Sequence, residues 1–191
     1  MLGAAVVGGT VAAVLAVRGG GSSGGSERRL PALPFPSSDK RRALRPFGKI
    51  VFQSTGLPTG DGPDIYVLNG DGTGLRNLTA GSPADVDPVW SPDGRRIAFA
   101  SWRSGSGDIY TMNADGSGVR RLTRMNTQEF GPLWSPDGSK IAFFVFTHDV
   151  YAQVWVVNAD GSGLHQLLAD ARTALSWSPD GRLAVIQALS G

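Results

Sequence analysis

Two motifs that recur every 43 to 45 residues predict an all-β fold, a partial β-propeller of four-stranded antiparallel blades. The first motif is Trp-Ser-Pro-Asp-Gly, which begins at Trp90, Trp134 and Trp177. The second is a short strand ending in Asn-x-Asp-Gly, and it spans residues 64–72 and 108–116 in its two clearest copies. The third copy spans residues 153–161. Because both motifs keep one period, the repeating object is a whole structural unit.

The Trp-Ser-Pro-Asp-Gly motif predicts a tight turn between two strands. Proline pre-sets φ near −65° for the second turn position, and glycine supplies a positive φ at little steric cost. The tryptophan before the turn brings a large apolar surface to the place where neighbouring sheets pack. We therefore expect a structural role for the residues that recur in the three copies: Trp90, Pro92, Asp93, Gly94, Trp134, Pro136, Asp137, Gly138, Trp177, Pro179, Asp180 and Gly181.

Each repeat divides into four strands, named A to D from the tryptophan strand onward. Strand B is an apolar run such as Ile97–Phe99, strand C carries an aromatic residue such as Tyr110, and strand D is expected at 75–79, 119–123 and 164–168. Strand B occurs four times and the other strands three times, which gives about three and a third blades. Such an open arc exposes sheet edges. We therefore expect either a piece of a longer protein or a chain that self-associates to complete the propeller.

The residues before the repeats predict a membrane segment and a linker. Residues 1–17 are uncharged and apolar, and as a helix they would span about 25 Å, close to the thickness of a bilayer core. An uncleaved anchor, a signal-peptide core and a marginal spanning helix all fit the 1–18 segment. Residues 19–48 are rich in Gly, Ser, Pro and basic side chains, which is typical of a disordered linker. The propeller repeats are assigned to 49–191.

Charge and composition exclude several classes of partner and cofactor. Residues 1–49 carry eight basic and two acidic side chains, whereas residues 50–191 carry ten and fourteen. The acidic balance of the repeats argues against a nucleic-acid partner. The chain has no cysteine and two histidines, His148 and His165, so a structural zinc site has too few ligands.

The Asn-x-Asp-Gly loops allow a calcium interpretation as well as a turn interpretation. Residues 113–118 alternate oxygen-bearing side chains before glycine, as calcium loops do, but no glutamate stands at loop position 12. A hairpin turn accounts for the copies without a metal. Because no nucleophile lies in a strand-turn-helix context either, we expect neither a cofactor nor catalysis.

Trp102 and Phe146 lie just past two of the B strands, outside the repeat consensus. They would either project from one end of the propeller as anchors for a partner or pack beneath a loop. The sequence leaves both alternatives open.

The run from Trp90, with Ile-Ala-Phe after the turn and Asp-Ile-Tyr-x-Met-Asn-Ala-Asp-Gly-Ser-Gly after that, resembles the TolB-type WD40-like (PD40) propeller repeat. The resemblance is strongest over 87–123 and covers about 50–188. It implies a non-catalytic module outside the cytoplasm, in the periplasm or at the cell surface, which presents loops to a protein or glycan. Similar blades form the propeller of prolyl-oligopeptidase-like peptidases. The alternative is therefore a fragment of a larger protein in which the propeller gates a hydrolase domain.

Overall fold

The computed structural model describes residues 48–55, 62–146 and 152–187, which contain β-strands and no helix. The proposed membrane segment 1–18 and the linker up to residue 47 lie outside these residues. In the described ranges, no helix is long and apolar enough to cross a membrane. The strands are β1 Lys49–Ser54, β2 Asp64–Asn69, β3 Arg76–Asn77, β4 Asp85–Trp90, β5 Arg96–Ser101, β6 Asp108–Asn113, β7 Arg120–Arg121, β8 Gln128–Trp134, β9 Lys140–Phe146, β10 Ala152–Asn158, β11 His165–Trp177 and β12 Leu183–Gln187.

The strands form three antiparallel sheets that follow one another along the chain. Their orders are β1-β2-β3, β4-β5-β6-β7 and β12-β11-β10-β9-β8. We call them blades 1, 2 and 3. Blade 2 contains the predicted strands A, B, C and D in sequence order, each paired with the next. The all-β fold of a partial propeller is thereby confirmed.

The end of blade 3 differs in detail from the expected strand boundaries. A separate D strand at 164–168 and a separate A strand ending at Trp177 were expected, whereas β11 runs without interruption from His165 to Trp177. Strand β12 pairs with its second half, so that Trp177 lies opposite Leu183. The pairing shows how the strand continues. Ala171 pairs with Ala152 of β10 on one side and with Gln187 of β12 on the other, so that the two ladders meet within one strand.

The D strands β3 and β7 are only two residues long, because threonine side chains take over the pairing beyond them. The amide of Ile65 donates to the Thr79 hydroxyl oxygen at 2.9 Å, and the amide of Ile109 donates to Thr123 in the same way at 2.9 Å. Each of these hydroxyl oxygens satisfies a strand C amide where a ladder bond would otherwise form.

The Trp-Ser-Pro-Asp-Gly segments form the turns between strands A and B. In the first copy the amide of Gly94 donates to the Ser91 carbonyl at 2.9 Å, and Gly94 has a φ of 67°. The Ser91 hydroxyl donates to Asp93 Oδ1 at 2.6 Å and accepts from the amide of Arg96 at 2.9 Å. The serine and aspartate therefore hold the turn through their own side chains, as in Asx and Ser/Thr turns.

Strands β4 and β8, the A strands of blades 2 and 3, each contain a bulge with a proline. The pairing of β4 with β5 shifts register between Val86 and Val89, around Pro88, and β8 has the same irregularity around Pro132. Proline is tolerated at these places because β4 and β8 are edge strands of their sheets. Asp87 in the first bulge has a φ of 54°, and its carboxylate accepts the amide of Gly131 in the next blade at 3.0 Å.

The hydrophobic core lies between the blades, where large side chains of one sheet meet small ones of the sheet before it. Strand β5 turns Ile97 and Phe99 toward blade 1, and its Ala98 and Ala100 toward blade 3. There the alanines meet a cluster that includes Phe143. Burying a side chain such as Phe99 contributes about 1.5–3 kcal/mol. The period-two alternation of strand B thus fixes how closely two blades approach.

A second contact between blades depends on a glycine in the Asn-x-Asp-Gly turn. A Cβ placed on Gly116 would lie 3.1 Å from the carbonyl oxygen of Leu78 in the preceding blade. Beside it, Arg76 Nη2 donates to the Asp115 carbonyl at 3.2 Å. The same position in blade 1, Gly72, has nothing within 4 Å of its Cβ position among the described atoms. Both glycines have a φ between 80° and 90°.

Replacing these two glycines by alanine should separate the cost of backbone conformation from the cost of blade packing. We expect Gly72→Ala to lower the free energy of unfolding by about 1 kcal/mol, since only the left-handed conformation is penalised. Gly116→Ala should cost at least about 1 kcal/mol more, because the added methyl group also pushes blade 2 away from Leu78. Urea unfolding followed by circular dichroism measures both values. Equal losses in the two variants would show that the turn does not set the distance between blades.

Candidate binding surface

Trp102, the first of the two aromatic residues singled out in the sequence, lies directly after β5 and is half-buried. Its indole Nε1 donates to Gln128 Oε1 at 2.8 Å. The ring lies against Gly107, where a Cβ would be 3.1 Å from two indole carbons. Because of this close approach, a larger residue at position 107 would displace the indole. Trp102 is therefore held in a defined orientation by a glycine and an amide.

Phe146, the second of these residues, ends β9 and is 44% exposed. Its ring stacks on Phe130 with centroids 4.3 Å apart and an angle of 11° between the planes. Phe130 in turn stacks on Phe144 at 5.7 Å. In the pairing of β8 with β9, Phe146 lies opposite Gln128, the residue that accepts the hydrogen bond from Trp102.

Gln128 thus links Trp102 to Phe146, since it accepts from Trp102 and lies opposite Phe146 in the next blade. We call Trp102, Gln128, Phe130 and Phe146 the aromatic surface. It lies where strand A begins and strand B ends, at the opposite end of the sheets from the Trp-Ser-Pro-Asp-Gly turns. Sequence reasoning missed Gln128 and Phe130. The available signal was the repeat itself, because their counterparts in blade 2 are the smaller Ala84 and Val86.

A buried ion pair lies next to this surface, in the interface between blades 1 and 2. We call each interface between two neighbouring blades a joint. Both carboxylate oxygens of Asp85 accept from Arg103 Nη2, at 3.0 and 2.9 Å, and the Asp85 side chain is fully buried. The guanidinium also lies 5.3 Å from the Phe99 ring and 5.1 Å from the Tyr110 ring. Ser101 accepts from Arg103 Nε at 2.8 Å. These contacts compensate for the removal of both charges from water.

The joint between blades 2 and 3 has a glutamate, Glu129, at the position of Asp85. The arginine near this glutamate is Arg121, and it donates to Asp108 Oδ1 at 2.8 Å and not to Glu129. Glu129 is fully buried and accepts a short hydrogen bond from the Thr123 hydroxyl through Oε2, while its Oε1 has no partner among the described residues. Burial raises the pKa of Glu129 to about 7, although the Thr123 hydrogen bond opposes the change. Glu129 therefore titrates near neutrality inside a joint between blades.

The aspartates of the turns are engaged in hydrogen bonds that close those turns. Asp137 accepts from the Ser135 hydroxyl at 2.6 Å and from the amide of Ser139 at 3.0 Å. These bonds, led by the one from Ser135, lower the pKa of Asp137 to about 2. Asp115, in an Asn-x-Asp-Gly loop, accepts from the Ser117 hydroxyl at 2.6 Å in a similar way. Within the described ranges, no three His, Cys, Asp or Glu side chains are grouped to hold a metal ion.

The two histidines are not brought together in the described part of the chain. His165 begins β11, is exposed, and has its Nδ1 2.8 Å from the carbonyl oxygen of Gly163. His148 lies outside the described residues.

A comparison with known protein families identifies one family over most of the chain. The family model of the PD40 TolB beta propeller domain matches residues 35–190. The chain is 36% identical to the Tol-Pal system protein TolB of Desulfosudis oleivorans, over 35% of this chain and 18% of that protein. It is 38% identical to dipeptidyl-peptidase 5 of Porphyromonas endodontalis, over 30% of this chain and 9% of that protein.

A solved structure shares the arrangement of blades. The putative TolB of Agrobacterium tumefaciens matches with a TM-score of 0.56 and 30% sequence identity, over 65% of this chain and 49% of that one. The chain therefore spans about half of this solved relative, and less than a fifth of the two curated relatives.

The pH dependence of stability should report the environment of Glu129. In the unfolded chain this carboxyl loses its proton near pH 4.5, whereas in the folded chain it keeps the proton up to about pH 7. The folded state binds more protons between these values, so the free energy of unfolding should fall as the pH rises from about 4.5 to above 7. The loss is about 3 kcal/mol at most.

Glu129→Gln should remove most of this decline, because an amide of the same shape does not titrate. Thermal unfolding of both proteins between pH 4.5 and 8.5 measures the effect. If the variant declined over the same pH range as the natural chain, another group would be responsible and Glu129 would not be the titrating residue.

Proposed function

Because the chain belongs to the family of PD40 TolB β-propeller domains, we propose that it is a non-catalytic binding and scaffold module. The observation that supports this best is the aromatic surface, in which Trp102 and Phe146 of different blades are linked through Gln128 and Phe130. The ligand in this proposal is a protein or a glycan that contacts the exposed ring of Phe146 and the half-buried indole of Trp102.

The composition of the aromatic surface suits recognition more than catalysis. Aromatic side chains give a large contact area with few rotatable bonds, so that little conformational entropy is lost on binding. The hydrogen bond from Trp102 to Gln128 and the stacking of Phe146 on Phe130 fix these rings before a ligand arrives. Such pre-organisation lowers the cost of association. The acidic balance of residues 50–191 disfavours nucleic acid as this ligand.

The proposal places the propeller outside the cytoplasm, with residues 1–18 as a membrane tether and 19–48 as a spacer. The family supports an exported propeller, and the apolar composition of residues 1–17 supports a tether. Self-association that covers the exposed sheet edges is part of the same proposal.

A second candidate function follows from the similarity to dipeptidyl-peptidase 5. In this alternative the propeller belongs to a larger hydrolase and controls access to its active site. The gene downstream of codon 191 distinguishes the two. Further repeats followed by a stop codon favour the binding module, and a domain with Gly-x-Ser-x-Gly between a strand and a helix favours the hydrolase.

Removing the exposed ring of the aromatic surface should weaken partner binding without unfolding the chain. Peptides and glycans selected on the natural protein, by phage display and on a glycan array, provide the ligand. We expect Phe146→Ala to lower the affinity for this ligand by about tenfold or more. The melting temperature should fall only modestly and the chain should stay folded, since the ring is 44% exposed and what it loses is its stacking on Phe130.

Leu167→Ala is the matched control, because Leu167 is 50% exposed on β11, away from the aromatic surface. It should leave the affinity unchanged. If both variants bound the selected ligand as well as the natural chain, the aromatic surface would not be the binding site.

The location can be tested by protease accessibility. A protease added to intact cells or spheroplasts should degrade the repeats, because the proposal places them outside the cytoplasmic membrane. A cytosolic marker protein should survive the same treatment. Full protection of the repeats would place them in the cytosol.

A further inference from the structure

A groove of about 240 Å³ lies between the second and third Trp-Ser-Pro-Asp-Gly turns. Its lining includes Asp137 and Lys140 from one side and Trp177 and Asp180 from the other. The groove is at the turn end of the sheets, whereas the aromatic surface is at the opposite end. It is therefore separate from the surface assigned above.

The corresponding place between the first and second turns is filled by the chain's own arginine. Arg96 has its Cζ 4.7 Å from the centroid of the Trp134 ring, a cation–π contact, and Trp134 is only 5% exposed. The two turns also touch there, since the Cβ position of Gly138 is 3.7 Å from Pro92 Cδ. An arginine on a tryptophan is thus how this fold closes the space between two such turns.

The groove is open because a lysine stands where the preceding repeat has that arginine. Lys140 follows Arg96 by 44 residues, and its Nζ donates to Asn158 Oδ1 at 3.0 Å. Trp177 remains half-buried, and Gly181 has nothing within 4 Å of its Cβ position among the described atoms. A guanidinium is planar and weakly hydrated and stacks on indole rings, whereas an ammonium is compact and strongly hydrated. The substitution thus leaves an aromatic face without its cation.

The charges around the groove favour a cation as its occupant. Asp137 is ionised at neutral pH, and the hydrogen bonds from Ser135 and Ser139 lower its pKa further. Asp180 lies on the other side, where it forms an exposed ion pair of 3.4 Å with Arg182. The lining thus has two carboxylates, Asp137 and Asp180, and the ammonium of Lys140, which donates to the neutral amide oxygen of Asn158. A planar cation over Trp177 would therefore approach the Asp137 carboxylate.

We propose that this groove binds the guanidinium group of an arginine side chain from a protein partner, stacked on Trp177 as Arg96 is stacked on Trp134. The inference rests on the proposed binding function and adds the chemistry of one contact: the partner presents an arginine at the turn end of blade 3.

Short peptides test the site directly on the full chain. Acetyl-Gly-Arg-Gly-amide should shift the NMR signal of the Trp177 indole N–H and saturate with a dissociation constant in the millimolar range. Acetyl-Gly-Lys-Gly-amide, which carries the same charge, should bind about tenfold more weakly. Equal binding of the two peptides would overturn the proposal, because charge alone would then explain it.

Two reciprocal variants keep the net charge constant. In Lys140→Arg, the chain's own guanidinium should occupy the groove, so that the affinity for the arginine peptide falls about tenfold or more. In Arg96→Lys, the first inter-turn space should open, and the peptide should also shift the Trp134 indole signal. If Lys140→Arg bound the peptide as well as the natural chain, the groove would not be the site.

Phe146→Ala separates this proposal from the broader one. It should leave binding of the arginine peptide unchanged, because it alters the other end of the sheets. Loss of ligand binding in Phe146→Ala, combined with no response to the arginine peptide in the natural chain, would refute the groove and leave the aromatic surface standing. An arginine-specific response without an effect of Phe146→Ala on the selected ligand would do the reverse.

Discussion

The packing of each blade on its neighbour is the interaction on which the rest of the structure depends. Strands β5 and β9 are buried along nearly their whole length. A blade that contains such a strand is therefore stable only when neighbouring blades cover both of its faces. One blade offers alanines where the next offers Phe143, and the turn glycine Gly116 lets the backbones meet at the outer edge. Because this spacing is fixed, residues far apart in sequence reach defined positions at both ends of the sheets.

Carboxylates are also buried in the joints between blades. Each of the two joints has one arginine close to a buried carboxylate, but the pairing differs: Arg103 binds Asp85 of strand A, whereas Arg121 binds Asp108 of strand C. Glu129 is consequently left with a threonine hydroxyl. A buried carboxyl without an ionic partner favours its neutral form, and this makes the stability of the second joint depend on pH.

Much of the fold followed from the sequence because the repeat fixes local structure three times over. The turns, the B and C strands and the order of strands in blade 2 depend on glycine, proline and period-two patterns, which are local. The continuity of β11 was missed because it depends on pairing with β10 on one side and with β12 on the other, which a local sequence pattern does not show. The aromatic surface was predicted in part. Trp102 and Phe146 could be recognised as departures from the repeat, but the hydrogen bond from Trp102 to Gln128 joins two blades, and a local pattern does not show such contacts.

Departures from the repeat are therefore where binding chemistry can arise without loss of the fold. A position inside a joint tolerates few residue types. Glu129 stands where the preceding repeat has Asp85, and its pKa is raised by burial. At the strand ends a change alters what is exposed, as Phe130 in place of Val86 does near Phe146. Arginine and lysine at positions 96 and 140 illustrate the difference most simply. Both have the same charge and the same place in the repeat, but one covers a tryptophan and the other is drawn to Asn158, so that only the second leaves an aromatic face open to another molecule.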